Sequence, residues 1–404
     1  MSPSRADPGL RIALIGTRGV PARYGGFETC VEEVGARLAD RGHHVLVYCR
    51  RGASLADRPS TYRGMRLVHL PALRRRTLET LSHTALSVLH QLRHPADAAI
   101  VFNAANAPLL PVLRVRGIPV ATHVDGLEWQ RAKWGNLGRR YYRGSEALAV
   151  RWSDALIADA RGIRDYYQGE FAASSHLISY GAPVLEDVGT DLLEAAGVPP
   201  GGYHLVVARL EPENHVLEIV EGYRRSAARL PLVVVGSAPY ADAYTKQVQA
   251  AGDSRVRFLG GVWDQGLLDQ LYAHTVGYLH GHSVGGTNPS LLRAIGAGAP
   301  ATAFDVAFNQ EVLGDAGRYF RTADDVARLV EHTEQHRAAE ARRGQACRER
   351  ALRYDWDDVA AAYEVLCRFL VARGGAERAS GRRRPAAAAG SSHPTNAAEP
   401  DGDR

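Results

Sequence analysis

The feature that most constrains this chain is a rhythm: short, almost wholly apolar runs alternate with segments of helical period, and the rhythm starts twice. It opens with RIALIG, continues through a helix from about Phe27 to Asp40, and proceeds with HVLVYC, RLVHL, AAIVF and PVATHV. Strands that are apolar on both faces are covered on both faces, which means a parallel sheet between helical layers. ALIA near Ala155 and HLISY near His176 extend the series, and Gly181-Ala182-Pro183 then breaks it. The rhythm restarts with YHLVVA, a helix from about His215, PLVVVG, a helix near Tyr244, VRFLG, VGYLH, a helix beginning at Pro289, and ATAF. Two α/β domains are therefore expected, a number that also suits 404 residues, more than one hydrophobic core usually serves. Open α/β sheets bind ligands beyond the carboxyl ends of their strands, so a shared site should lie in the cleft between the domains.

Composition narrows the class. Apolar residues make up 45% and charged residues 23%, ordinary soluble usage. No run approaches the roughly 18 apolar residues of a membrane helix, and the start, MSPSRADPGL, has no apolar leader core, so cytoplasmic residence is the expectation. A net charge of +5 is too small to mark a nucleic-acid binder. Cys30, Cys49, Cys347 and Cys367 are far apart without a C-x-x-C pair, which reads as buried small hydrophobes. Arg74, Arg75 and Arg76 precede leucines at helical spacing (Leu78, Leu81, Leu86, Leu89, Leu92), a pattern that suits anionic lipid headgroups and equally an ordinary solvated helix start. From Gly374 the tail is rich in Ala, Gly, Ser, Pro and Arg with scarcely a large apolar side chain, a composition expected to be disordered.

Four motifs fall at strand ends. Gly16 to Glu28 (GTRGVPARYGGFE) joins the first strand to a helix; Gly25 and Gly26 let backbone approach a ligand, and the helix N-terminus suits a phosphate, with Arg18 and Arg23 as countercharge. A tight turn needing glycine dihedrals explains such a loop as well. A nicotinamide fingerprint fits poorly, since the spacing is not G-x-G-x-x-G and the second strand ends in Cys49-Arg50-Arg51 where an acid would hold the ribose; an arginine there would suit the phosphate of NADP. His123-Val124-Asp125-Gly126-Leu127-Glu128-Trp129 sets two acids beside an aromatic ring, chemistry for binding a sugar or deprotonating its hydroxyl, against the plainer reading of Asp125 and Gly126 as an Asx turn.

In the second domain, Arg209-Leu210-Glu211-Pro212-Glu213-Asn214 offers a guanidinium that forks onto a diphosphate or pairs with Glu211 or Glu213. His280 to Arg293 (HGHSVGGTNPSLLR) carries Asn288 as helix cap and Pro289 as first helical residue, so Gly285, Gly286 and Thr287 precede a second ring of amide donors. His280 and His282 read most simply as polar packing. Nothing in the sequence has the spacing of a serine triad or a metal cluster.

Together, IGTRGVPARYGGFET, VDGLEWQRAKW, ARLEPEN, HGHSVGGTNPSLL and FNQEVLGDAG resemble the family 4 glycosyltransferases, in particular a bacterial subgroup that includes rhamnosyltransferases of surface-polysaccharide assembly, over roughly residues 10 to 370. The resemblance implies a GT-B fold, two Rossmann-like domains facing across a cleft. It divides the chain into a disordered 1–9, an acceptor-side domain 10–183, a nucleotide-sugar donor domain 184–355, a helix 356–373 crossing back to the first domain, and the disordered tail 374–404. It implies retention at the anomeric carbon without metal or cofactor, and a dTDP- or UDP-linked donor, L-rhamnose from dTDP-rhamnose being the expected sugar. A glycan or polyprenyl-diphosphate-linked acceptor makes peripheral contact with the inner face of a membrane an expectation too.

By motif, Asp125 and Arg209 are the expected catalytic pair. Arg18, Gly25, Gly26, Arg209, His282, Gly285, Gly286, Thr287, Asn288, Ser290 and Arg293 are expected on the donor, and Tyr24, Glu28, Asp125, Glu128 and Trp129 on the acceptor. Three positions depart from the family at large. Glutamates eight apart are replaced by Gly285, which suits the subgroup, and Arg293, which does not, because a cation cannot accept the ribose hydrogen bonds that a glutamate would. The usual lysine five residues after the arginine is Asn214. Arg293 motivates a competing expectation, a chain that binds nucleotide, glycan or a partner without turnover; a sugar-nucleotide epimerase is a third.

Overall fold

A computed structural model describes residues 9–22, 25–51, 58–73, 78–124, 126–131, 134–237 and 242–379. Of the residues singled out above, Arg23, Tyr24, Arg74 to Arg76 and Asp125 lie outside them, as do 1–8 and 380–404.

Eight strands form the first sheet: β1 (Arg11–Ile15), β2 (His44–Arg50), β3 (Thr61–Tyr62), β4 (Met65–Leu70), β5 (Ala98–Phe102), β6 (Val120–Val124), β7 (Ala155–Ala158) and β8 (His176–Leu177), in the order β3-β4-β2-β1-β5-β6-β7-β8. Six form the second: β9 (His204–Val207), β10 (Leu232–Val235), β11 (Val256–Gly260), β12 (Gly277–His280), β13 (Ala301–Phe304) and β14 (Arg318–Phe320), in the order β11-β10-β9-β12-β13-β14. All pairings are parallel except β3 with β4. The central strands β5 and β6 are buried along their whole length, which is why they read as unbroken apolar runs rather than alternating ones.

The strand order fixes where a ligand can enter. In the first sheet the chain moves outward from β1 on both sides, through β2 and through β5, so a crevice opens beyond the end of β1. In the second it moves outward from β9, through β10 and through β12, and the crevice opens beyond β9 and β12. Gly16 to Arg18 follow the first of these ends; Arg209 and His282 follow the other two.

Two crossings hold the domains together. The helix Trp356–Ala379 buries Val359, Ala360, Tyr363, Leu366, Cys367 and Leu370, a stripe at helical spacing. It lies on the first helix of the chain, Gly26–Asp40: Tyr363 Oη is 3.6 Å from Cys30 Sγ, and Arg37 Nε donates to Asp357 Oδ1 at 2.9 Å. This helix begins where expected and runs past Gly374, which is buried, to Ala379 rather than ending at 373. Beside it, the linking segment at Gly181 passes so close to Trp356 that a Cβ there would sit 2.4 Å from the indole, and Ala182 N donates to Tyr354 O. All four cysteines are buried and free.

Candidate functional site

The two crevices merge into one cavity of about 490 Å³, a size suited to a small ligand. It is lined from the first domain by Gly16, Arg18, Gly25, Gly26, Glu28 and Glu128, and from the second by Arg209, His282, Gly285, Gly286, Thr287, Asn288 and Ser290. The two glycine-bearing helix starts converge on it. A Cβ on Gly26 would lie 3.4 Å from the ring of Pro289, so the N-termini of helices Gly26–Asp40 and Pro289–Gly296 face one another. Their dipoles make the space between them favourable to an anion.

The second helix start is built by its own sequence. Asn288 Oδ1 accepts from Ser290 N at 2.9 Å, and Pro289 occupies the first helical position. Gly286 is required for a tertiary reason: an added Cβ would lie 1.9 Å from Asp159 Oδ1, a buried carboxylate at the end of β7. Thr287 Oγ1 donates to the carbonyl of the same Asp159, so the loop is docked onto the opposite domain at one residue.

His282 is buried, and its protonation can be deduced from its neighbours. Asn214 Nδ2 donates to Arg209 O at 2.8 Å, which turns Asn214 Oδ1 towards His282 Nδ1, also at 2.8 Å. Burial first, and the positive charges of Arg131 and Arg209 next, push the imidazole pKa well below its ordinary value. The ring is therefore neutral with its proton on Nδ1, and Nε2, which faces Gly285, is an acceptor suited to a sugar hydroxyl. His280 is likewise pushed down, to about 3, by burial, and its Nδ1 lies 3.1 Å from Tyr278 Oη.

Arg209 lines the cavity, and its Nη1 lies 3.2 Å from Glu211 Oε2, the ion pair weighed for it. On the first-domain side, Arg18 N donates to Glu28 Oε1 at 3.0 Å, and burial raises the Glu28 pKa against the lowering effect of Arg18. Glu128 is 8% exposed and lies 3.1 Å from Arg131 Nε.

Two expected contacts are not made. Trp129 does not line the cavity: Glu128–Gln130 is a single 3₁₀ turn, whose successive side chains point about 120° apart, so Glu128 faces inward while the indole lies under the Arg143 guanidinium at 5.2 Å. Arg293 also points elsewhere, its Nε 3.0 Å from Asp269 Oδ1 on the neighbouring helix Gln265–Ala273. Conversely, Thr80, Asp159, Tyr180, Trp263 and Gln265 line the cavity without having been singled out as ligands, and Arg50, weighed only for the phosphate of NADP, lines it too. Asp159 had the one usable signal, an acid placed directly after the apolar run ALIA at a strand end. Among the described residues no cluster of His, Cys, Asp and Glu could hold a metal ion, and no helix is long and apolar enough to cross a membrane.

Residues 25–181 match the family model described as a glycosyl transferase 4-like domain. A curated relative, O-antigen chain mannosyltransferase B of Escherichia coli, is 28% identical over 122 residues, covering 29% of this chain and 32% of that protein, so the chain spans about a third of the length of the relative it matches. Among solved structures, sucrose-phosphate synthase from Thermosynechococcus elongatus superposes with a TM-score of 0.78 at 19% identity, covering 90% of this chain and all (100%) of that one. Anabaena Alr3699/HepE in complex with UDP-glucose superposes at 0.72 and 16% identity, covering 88% and 99%. These neighbours are GT-B glycosyltransferases, and the two parallel-sheet domains found here have that architecture. Residues 25–181 thus match glycosyl transferase 4-like domains, within a two-domain GT-B architecture that extends through the chain.

Proposed function

We propose that the chain is a retaining, metal-independent glycosyltransferase that moves a sugar from a nucleoside diphosphate to a glycan or lipid-linked acceptor, with L-rhamnose from dTDP-rhamnose as the sugar its motifs resemble most. The observation that carries the transferase reading is the convergence of two helix N-termini and Arg209 on one cavity between the domains. A departing diphosphate needs positive potential that is in place before the glycosidic bond breaks, and oriented amides with a guanidinium provide it without reorganisation. The first domain would present the acceptor hydroxyl, with Asp125 orienting or deprotonating it. The matched domain in residues 25–181, the mannosyltransferase relative and the UDP-glucose complex of a structural neighbour support the same reaction class.

A lipid-linked acceptor would bring the enzyme to the inner face of a membrane. Leu73, Leu78 and Leu89 are exposed on or just before the helix Glu79–Arg93, which supports contact there. A second reading, a chain that binds without turnover, keeps its motive: Arg293 engages Asp269 outside the cavity lining, so no carboxylate at this position meets the ribose. The deciding experiment incubates the protein with dTDP-rhamnose and a lipid-linked GlcNAc acceptor, with Asp125→Asn as control. Product with wild type and its loss in the variant are expected. Absence of product with any nucleotide sugar overturns the reading, and product formed without an acceptor points to an epimerase.

A further inference from the structure

The leaving-group site has more charge to meet than the donor domain alone supplies. Among the described residues lining the cavity, that domain contributes one cation, Arg209, and part of its charge is already matched by Glu211 at 3.2 Å. A nucleoside diphosphate leaves with more negative charge than one guanidinium neutralises. The position five residues after Arg209 is Asn214, whose side chain is spent on Arg209 O and His282.

Guanidinium groups also line the cavity from the opposite domain: Arg18, Arg50 and Arg131. Arg131 closes the 3₁₀ turn Glu128–Gln130 of the acceptor-side domain, is 8% exposed, and lines the cavity. Its Nε lies 3.1 Å from Glu128 Oε1 in its own domain, and its Nη1 lies 3.7 Å from Glu213 Oε1 in the donor domain. Glu213 in turn is tied to the His282 loop, since its carbonyl accepts from Ser283 N at 3.0 Å. Arg131 and Arg209 both line the cavity and both act electrostatically on His282. We propose that Arg131 is a further diphosphate cation, delivered across the cleft, so that the leaving-group site is complete only when both domains contribute to it.

Glu128 and Glu213 offset the charge of Arg131 as Glu211 offsets that of Arg209, so what Arg131 offers a diphosphate is oriented donors more than net charge. A guanidinium stays charged at any accessible pH, and two buried carboxylates hold it in place, so it meets a diphosphate without losing rotamer freedom at that step. Its five donors in a planar fork can serve a carboxylate and a phosphate at once, which a lysine at the same position cannot do in the same geometry.

This inference rests on the donor reading above, and the test separates the two. Calorimetry on the full chain compares dTDP and UDP with dTMP and UMP, for wild type, Arg131→Gln and Arg131→Lys, with circular dichroism as the folding control. Wild type should prefer diphosphate to monophosphate. Arg131→Gln should cut that preference about tenfold or more, the worth of one charge-assisted hydrogen bond, with monophosphate affinity nearly unchanged; Arg131→Lys should fall between. Should the glutamine variant not fold, Glu213→Gln is measured in its place and should raise the preference about threefold, since it removes a carboxylate that competes for Arg131. An unchanged preference in the folded variants overturns the assignment of Arg131 alone. Wild type that binds neither diphosphate overturns the donor reading and this inference with it.

Discussion

Arg293 Nε lies 3.0 Å from Asp269 Oδ1, joining the helix that begins at the donor loop to the helix beside it. Both side chains are 23% exposed, and Asp269 also accepts from Gln265 Nε2 at 3.1 Å. Burial raises the Asp269 pKa, and Arg293 first and then the Gln265 hydrogen bond oppose that shift. A glutamate at 293 would face Asp269 and set two carboxylates against each other. Arg293→Glu should lose about 1–3 kcal/mol of stability, between the values for exposed and buried pairs, and should not tighten dTDP or UDP. The charge reversal Asp269→Arg with Arg293→Glu should recover most of the loss in a urea titration. A single Arg293→Glu variant as stable as wild type would show that the pair contributes nothing.

Gly286 and Asp159 make a second pairing that crosses the cleft. Because a Cβ at 286 would lie 1.9 Å from Asp159 Oδ1, Gly286→Ala must push the carboxylate or the loop away. The same holds for Gly126, where an added Cβ would lie 2.0 Å from Gly285 Cα. Both variants should fold, since neither side chain is part of a hydrophobic core, yet each should weaken nucleotide binding by about tenfold or more by shifting amides that must converge within a fraction of an ångström. Gly144, whose Cβ would meet nothing within 4 Å, is the control, and Gly144→Ala should bind as wild type does. Equal affinities across the three would separate the loop from donor binding.

These contacts mark the limit of what the residue order reveals. The parallel sheets were legible because fully buried strands are continuous apolar runs, and AAIVF and PVATHV have no other plausible fate. The edge strands β3 and β14 were not, being two and three residues long and partly exposed, so that neither period nor composition sets them apart from a loop. At the site, the glycine loops were legible because a helix start after a strand has a local signature. Trp129 and Arg293 were misplaced because side-chain direction depends on what surrounds the turn or helix: a 3₁₀ turn swings the indole outward, and Asp269, 24 residues away in sequence, captures the guanidinium. Asp159, Arg50 and Tyr180 come to the cavity from separate strand ends, a convergence that only the strand order explains.

Glu146 gives the stability a pH dependence remote from the cavity. It is 3% exposed in the helix Asn136–Trp152, and burial raises its pKa to about 7, against the lowering effect of the hydrogen bond that Tyr166 Oη donates at 2.8 Å. With the folded pKa above the unfolded one, the protein binds the extra proton in the native state. The contribution is complete below about pH 4.5, the unfolded value, and is lost as pH rises through about 7. Glu146→Gln, which keeps an acceptor for Tyr166, should therefore be more stable than wild type at pH 8 by up to roughly 3 kcal/mol and should show no advantage at pH 5. Melting temperatures at the two pH values measure this; the same difference at both would assign the effect to packing.

Asn214 is the hinge of the polar arrangement around Arg209. Its amide joins Arg209 O to His282 Nδ1, and Asn309 Nδ2 supports the same histidine by donating to its carbonyl at 2.9 Å. Asn214→Asp replaces the amide donor with an acceptor facing a carbonyl, while its negative charge favours the protonated imidazolium. His282 would then present a donor at Nε2 instead of an acceptor, and the pKa that burial and two arginines hold down would rise. Transfer should fall by about tenfold or more and acquire a new acid-side limb in its pH profile, whereas wild type should show no titration of His282 near its ordinary value. Asn214→Ala should lower the rate without adding the limb, because it removes the orienting bond and introduces no charge. A wild-type profile in Asn214→Asp, with only the rate reduced, would show that the tautomer of His282 is not set by this residue.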